Sequence, residues 1–211
     1  MKEYKLPIGC DVPETIILAD GDFPSHSLAL EWLRQCPYVV CCDGAANTYI
    51  RSGRMPEAIV GDGDSLLPGI KERYASLIHS EAEQETNDLS KAFRFCLSQE
   101  RKRITIMGAT GKREDHTIGN VSLLADYMEQ AEVSMMTDYG IFVPIREDSM
   151  FESYIGQQIS VFNMNSTALS AEGLAYPLSV FTNWWQGTLN EALARHFIIR
   201  TEGKVLVFRV F

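Results

Sequence analysis

The chain has 211 residues, 45% of them apolar, enough for a packed domain with a smaller one beside it. With 28 acidic against 19 basic side chains the net charge is −9, which argues against a broad nucleic-acid or anionic-membrane surface. No apolar run reaches membrane-spanning length, and residues 1–10 lack an apolar signal core, so neither export nor membrane anchoring is expected. The five cysteines, Cys10, Cys36, Cys41, Cys42 and Cys96, are odd in number and none has Cys-x-x-Cys spacing. That argues against a zinc site or a disulfide framework and for a reducing, cytoplasmic setting.

In chain order, residues 15–19 read as a first buried strand, followed by Asp20-Gly21-Asp22 and a helix over 28–34 capped by Ser25 or Ser27. A second strand over 38–42 ends in Asp43-Gly44-Ala45-Ala46-Asn47, whose small residues open a helix to about Ser52. A third strand, 58–60, precedes a helix predicted over 68–77. Leu89, Ala92, Phe93, Cys96 and Leu97 recur at helical spacing, residues 104–107 form a strand, a helix starts near Asp115, and 133–136 is a further strand. Strands alternating with helices predict parallel β-α-β units with right-handed crossovers, a Rossmann-like α/β domain over 1–137. From 138 to 211 the chain changes to short β-rich pieces, at 141–145, 149–155, 158–164, 196–200 and 204–211. These predict a small all-β sandwich or barrel.

The segment Ile59-Val60-Gly61-Asp62-Gly63-Asp64-Ser65 has the most chemical content. It reads as a buried strand delivering two carboxylates to a loop at its C-terminal end, the edge where ligands bind in open α/β sheets. Carboxylates this close repel unless a proton or cation sits between them. Mg²⁺ suits the position, because it is usually held by one or two carboxylates together with substrate phosphates. The plainer alternative is a solvated Asp/Gly turn. Gly108-Ala109-Thr110-Gly111 before a helix is a candidate phosphate cradle, with Lys112 and Arg113 adding charge. It lacks the ending of a Walker A loop. Asp88 and Asp115 each stand where a helix cap is also expected, and Lys91 is either a solvated residue or a cation near phosphates. Of Trp184 and Trp185, one is expected to pack inward and the other to cover a ligand or a subunit contact.

Taken together, the ordered set resembles the thiamin pyrophosphokinase family. The matching segments are Asp43 to Asn47, Gly61 to Ser65, Gln84 to Asp88 with Lys91-Ala92, Gly108 to Asn120, Gly173 to Leu178 and Gly187 to Glu191. The resemblance implies an α/β catalytic domain, a β-sandwich and a homodimer with thiamin bound at the subunit interface. It implies transfer of pyrophosphate from ATP to the thiamin hydroxyl, with AMP released. By position, Asp62, Asp64 and Asp88 look like Mg²⁺ ligands, and Arg113 and Asp115 join them as catalytic residues. Asp43, Thr110, Gly111, Arg113 and Asp115 fall where ATP would lie, and Gln84, Ser170 and Tyr176 where thiamin would lie. Gly63, Asn87, Lys112 and Leu189 depart from the family's usual residues. The acceptor of the hydroxyl proton is open between Asp64 and Asp115. The rival readings are a non-catalytic thiamin or nucleotide sensor and a Mg²⁺-dependent phosphatase.

Overall fold

The computed structural model describes residues 1–7, 11–81, 83 and 85–211. It divides into two compact units, one Gly9–Asp138 and the other Met1–Ile8 with Tyr139–Phe211. The first strand, β1 (Lys2–Tyr4), therefore belongs with the second half of the sequence, although residues 1–137 were expected to stay together. The reason is a pairing that spacing cannot reveal: Lys2, Glu3 and Tyr4 run parallel to Ser149, Met150 and Phe151.

The α/β unit alternates β2 (Thr15–Leu18), α1 (Ser27–Gln35), β3 (Val39–Cys42), α2 (Ala45–Arg51), β4 (Ala58–Gly61), α3 (Pro68–Arg73) and β5 (Ile78–Ser80). It continues with α4 (Asp88–Ser98), β6 (Arg103–Met107), α5 (Glu114–Tyr127) and β7 (Glu132–Met136). Within the unit the strands lie in the order β7-β6-β2-β3-β4-β5, and every pairing is parallel. All residues of β2, β3 and β4 are buried, which is why, Thr15 apart, they carry no polar side chains and do not alternate. The chain runs outward from β2 to β5 and then returns to β6 on the other side of β2. That reversal is the topological switch point of an open α/β sheet.

Some local expectations change. The helix over 68–77 is shorter: α3 ends at Arg73, a 3₁₀ turn covers Ala75–Leu77, and β5 adds an edge strand against β4. The cap of α1 is His26, whose ring nitrogen Nδ1 accepts from the Leu28 N–H, rather than a serine. Asn87, not Asp88, caps α4, its side chain accepting from the Ser90 N–H. Asp88 is thereby left in the first turn, its carboxylate clear of the capping role.

The second unit adds β8 (Gly140–Ile145), β9 (Ser149–Glu152), β10 (Gln158–Asn163) and β11 (Leu169–Glu172). It ends with β12 (Asn190–Glu191), β13 (His196–Thr201) and β14 (Val205–Val210). Strands order β1-β9-β13-β11 in one sheet, while β12, β10, β14 and β8 are neighbours in that order in the other. Every second residue of β8, β10 and β14 (Ile141, Val143, Ile159, Val161, Val205, Val207) turns into one core with Phe151, Leu169, Phe197 and Ile199 from the facing sheet. This is the period-two burial of packed sheets. Tyr4, Phe151 and Phe197 stack in sequence at 4.8 and 5.0 Å, so β1 is held by aromatic packing as well as by its ladder.

Candidate functional site

The C-terminal ends of β2, β3, β4 and β6 and the start of α4 surround a cavity of about 450 Å³. Asp62, Asp64, Asp88, Lys91, Thr110, Lys112 and Arg113 line it. Parallel pairing brings these together: once the strands share a direction, every strand-to-helix loop emerges at one edge.

Asp62 and Asp64 leave β4 on a loop fixed by its neighbours. Gly63 takes a left-handed φ of +76°, and its carbonyl accepts from Lys71 Nζ at 2.7 Å. Asn47 on α2 holds the far end, donating to the Ser65 carbonyl at 2.8 Å and accepting from the Leu67 N–H at 3.0 Å. Asp62 Oδ1 accepts from the Asp64 N–H, and Asp64 Oδ1 accepts from the Ser65 hydroxyl. Gly61 permits the close approach of two further acids. A methyl group there would stand 2.8 Å from Asp43 Cβ and 3.4 Å from Asp88 Cγ.

Asp43 is the residue whose role the sequence understates. Expected where the nucleotide or its phosphates would lie, it is grouped with the paired acids: one carboxylate oxygen from each of Asp43, Asp62 and Asp64 falls within 4.8 Å of the others. It is 3% exposed and sits at φ +24°, a strained conformation for a non-glycine residue. Its Oδ2 accepts from the Ser65 N–H, while its Oδ1 is buried with no hydrogen-bond partner among the described residues. Burial, followed by the negative charge of Asp88, pushes its carboxyl up to about 6 against the bond from Ser65. A buried carboxylate oxygen without a donor, facing two more carboxylates, is a fitting donor set for a hard divalent cation. Asp88 flanks the group from α4, and its Oδ1 accepts from Lys91 Nζ at 3.1 Å. Burial works against the charge of Lys91, but the bond to Asp88 and its negative charge outweigh it and raise the lysine's pKa.

The opposite wall is the loop after β6. Gly108 and Gly111 both have left-handed φ, and the loop is tied to the one after β2 by Gly21 N–H to Gly108 O and Asp22 N–H to Thr110 O. A side chain at Gly111 would collide with the Asp22 carboxylate. Asp20-Gly21-Asp22 thus has a structural use: Asp20 also accepts from Lys112 Nζ at 3.1 Å. Arg113 is the N-terminal flank of α5 and grips Asp115 through Nε and Nη2, at 3.1 and 2.6 Å. That bidentate bond holds the Asp115 carboxyl below its ordinary value. Arg113 and Thr110 line the cavity; Asp43, Gly111 and Asp115 are not among its lining residues.

Gln84 lies outside the described residues. Ser170 is exposed on β11, paired with Arg200 of β13. Tyr176 is exposed, and its backbone is clamped by the buried side chain of Asn190, which accepts from its N–H at 3.0 Å and donates to its carbonyl at 2.8 Å. Trp184 meets Phe162 edge-on at 6.1 Å, and Trp185 is 73% exposed, so the first is the partly packed member of the pair.

Two family models match the chain. "Thiamin pyrophosphokinase, catalytic domain" covers residues 29–136, and "Thiamin pyrophosphokinase, substrate-binding domain" covers 140–208. Among curated proteins, the chain is 30% identical over 129 residues to thiamine pyrophosphokinase 1 of Oryza sativa subsp. japonica, covering 49% of each. It is 34% identical over 86 residues to thiamine pyrophosphokinase of Bacillus subtilis (strain 168), covering 39% of this chain and 40% of that one. The matches thus span about half the length of these relatives or less. Among solved structures, thiamin pyrophosphokinase from Candida albicans superposes with a TM-score of 0.81 at 18% identity, covering 100% of this chain and 93% of that one. The Bacillus subtilis structure gives 0.77 at 20% identity, covering 93% and 98%. Both halves of the sequence match in the order the family has them, and the chain belongs to the thiamin pyrophosphokinase family.

Proposed function

We propose that the protein transfers the terminal pyrophosphate of ATP to the hydroxyl of thiamin, giving thiamin diphosphate and AMP. The observation that carries this is the convergence of Asp43, Asp62 and Asp64 at one edge of a parallel sheet, across a cavity from Lys112 and Arg113. In this reading the α/β unit is a Rossmann-like nucleotide domain. Asp62 and Asp64 with Asp88 would hold Mg²⁺, and the buried Oδ1 of Asp43 would add a fourth acid. The bound cation supplies charge neutralisation on the phosphate oxygens.

The chain's own residues do the rest. Thr110, Gly111 and Arg113 hold the nucleotide's phosphates, and Arg113 offsets charge that grows as the α–β bridging bond breaks. The thiamin oxygen attacks the β-phosphorus in line, and AMP leaves with the bridging oxygen. Asp64 lines the cavity and takes the hydroxyl proton, while Asp115 is held by Arg113 and orients it. Gln84, Ser170 and Tyr176 contact thiamin, with Tyr176 packing on its ring. Exposed Tyr176, Trp185 and Leu189 support a homodimer in which the subunits share the thiamin site. The free thiols of Cys36, Cys41, Cys42 and Cys96 support a reducing, cytoplasmic location. No helix among the described residues is long and apolar enough to cross a membrane.

Incubation with ATP, Mg²⁺ and thiamin, read by phosphorus NMR, tests the reading. AMP and thiamin diphosphate in equal amounts are expected. Binding of both substrates without AMP identifies a sensor, and free phosphate without an acceptor identifies a phosphatase. Either result defeats the proposal.

A further inference from the structure

Lys91 is the one lysine among the described residues that is almost fully buried, at 3% exposure. Lysine seldom occupies such a position unless it is paired. Its partner is Asp88, one turn earlier on α4, with Nζ 3.1 Å from Oδ1. An i,i+3 pair on a helix surface is solvated at both ends and contributes little. This pair is asymmetric: the lysine is enclosed, while the side chain of Asp88 is 37% exposed and lines the cavity. The buried face of α4 consists of Leu89, Ala92, Phe93 and Cys96, with Lys91 set beside them. Its stem is packed, and its charge is delivered to the cavity that also holds Asp62 and Asp64. Asp43 and Asp88 approach from two sides of Gly61. Four carboxylates thus crowd one edge, and Lys91 contributes an enclosed cation that is part of the fold rather than a ligand.

We propose that Lys91 acts through Asp88 as a built-in counter-ion: its enclosed charge offsets the acid group and weakens the pull of that group on a divalent cation. The assignment rests on the metal-dependent reading above. A purely packing role and a counter-ion role predict opposite signs. Loss of packing loosens the ligands and lowers metal affinity. Loss of a positive charge leaves one more carboxylate uncompensated and raises affinity, because opposite charges several ångströms apart still attract appreciably at the effective dielectric of a partly buried site.

The test uses Mn²⁺ as the probe, titrated into the full chain without nucleotide and followed by electron paramagnetic resonance. Lys91→Met is expected to bind Mn²⁺ at least about threefold tighter than the unaltered chain. Lys91→Arg, which keeps the charge, is expected to stay near the unaltered affinity. In an Asp88→Asn background the Lys91→Met effect should shrink, since the two act as a pair. Should Lys91→Met not fold, Lys91→Gln removes the charge while keeping a hydrogen-bond donor and carries the same expectation. Unchanged or weaker Mn²⁺ binding by the neutral variants, with normal binding by the unaltered chain, overturns the role of Lys91 and leaves the proposed reaction standing. An unaltered chain that binds no Mn²⁺ without nucleotide also overturns the role of Lys91, while the proposed reaction is judged separately by AMP formation with substrate phosphates present.

Discussion

The acid edge of the α/β unit and the segment 173–193 of the β unit are built with similar care and present opposite surfaces. In the first, Asn47 and Lys71 pin the loop after β4, and the side chains it carries are charged and converge on a cavity. In the second, Asn183 and Gln186 close a reciprocal cap on the 3₁₀ turn Trp184–Gly187, and Asn190 clamps Tyr176. Gly187 there lies so close to the Val161 carbonyl that no side chain fits. Yet Tyr176, Trp185 and Leu189 point outward. Exposed apolar groups gathered on one segment fit the subunit contact proposed above. The converging carboxylates, by contrast, are where the proposed cation and phosphate chemistry would take place.

The sharpest way to break this contrast is Asp64→Ala, expected to lower AMP formation by at least roughly a hundredfold, the scale of losing one key electrostatic group. Quenching of tryptophan fluorescence by thiamin should survive; joint loss would show that the two surfaces are not separate in function. Next is Gly61→Ala. The added methyl meets Asp43 at 2.8 Å, so Asp43 and Asp88 must spread. Calorimetry should then show Mn²⁺ affinity reduced at least about tenfold, and denaturant unfolding a loss of about 1–3 kcal/mol.

The raised carboxyl of Asp43 makes a two-signed prediction. Its ordinary value is 3.8 and its folded value about 6, so the folded chain holds the extra proton between those limits. Stability of the metal-free protein should therefore rise as pH falls through 6 towards 4, because the native state binds more protons there. Mn²⁺ affinity should move the other way, falling up to about tenfold between pH 7 and pH 5 as the proton competes with the ion. Asp43→Asn should flatten both curves; a variant that keeps either slope removes Asp43 from the account.

Smaller effects are expected in the β unit. Asn190→Ala leaves the Tyr176 N–H and carbonyl without that partner and should cost about 1 kcal/mol in thermal unfolding. Trp185→Ala should change monomer stability by less than about 0.5 kcal/mol, since the ring is mostly in solvent. The same variant should shift sedimentation towards smaller species. Unaltered sedimentation would remove this tryptophan from any subunit contact.

The α/β strands were legible because residues 16–18, 39–42 and 58–61 are buried and so read as unbroken runs without polar side chains. The acid loop was legible because two aspartates between glycines at a strand end are chemically unusual. β5 was not, since Ile78-His79-Ser80 is short and half polar, and only its parallel pairing with β4 makes it a strand. Nor was the place of Asp43 among the acids. Nothing local signals that Gly61, eighteen residues later, leaves room for its side chain, or that the backbone bends to φ +24° to bring it there. His26 displaced two serines as the cap of α1 because Asp138 takes the Ser25 hydroxyl and the backbone N–H groups of Ser25 and His26. That contact is set by the tertiary fold.

The early strand β1 carries a consequence for how the chain is made. Leu6 donates to Glu152, 146 residues away, and Lys2–Tyr4 have no ladder until Ser149–Phe151 have been synthesised. During translation the α/β unit can condense as soon as its own strands emerge, whereas the β unit must wait for segments far apart in the chain. The pairing of β1 with β9 thus closes a loop that encloses the whole α/β unit, a long-range contact that forms late relative to that unit.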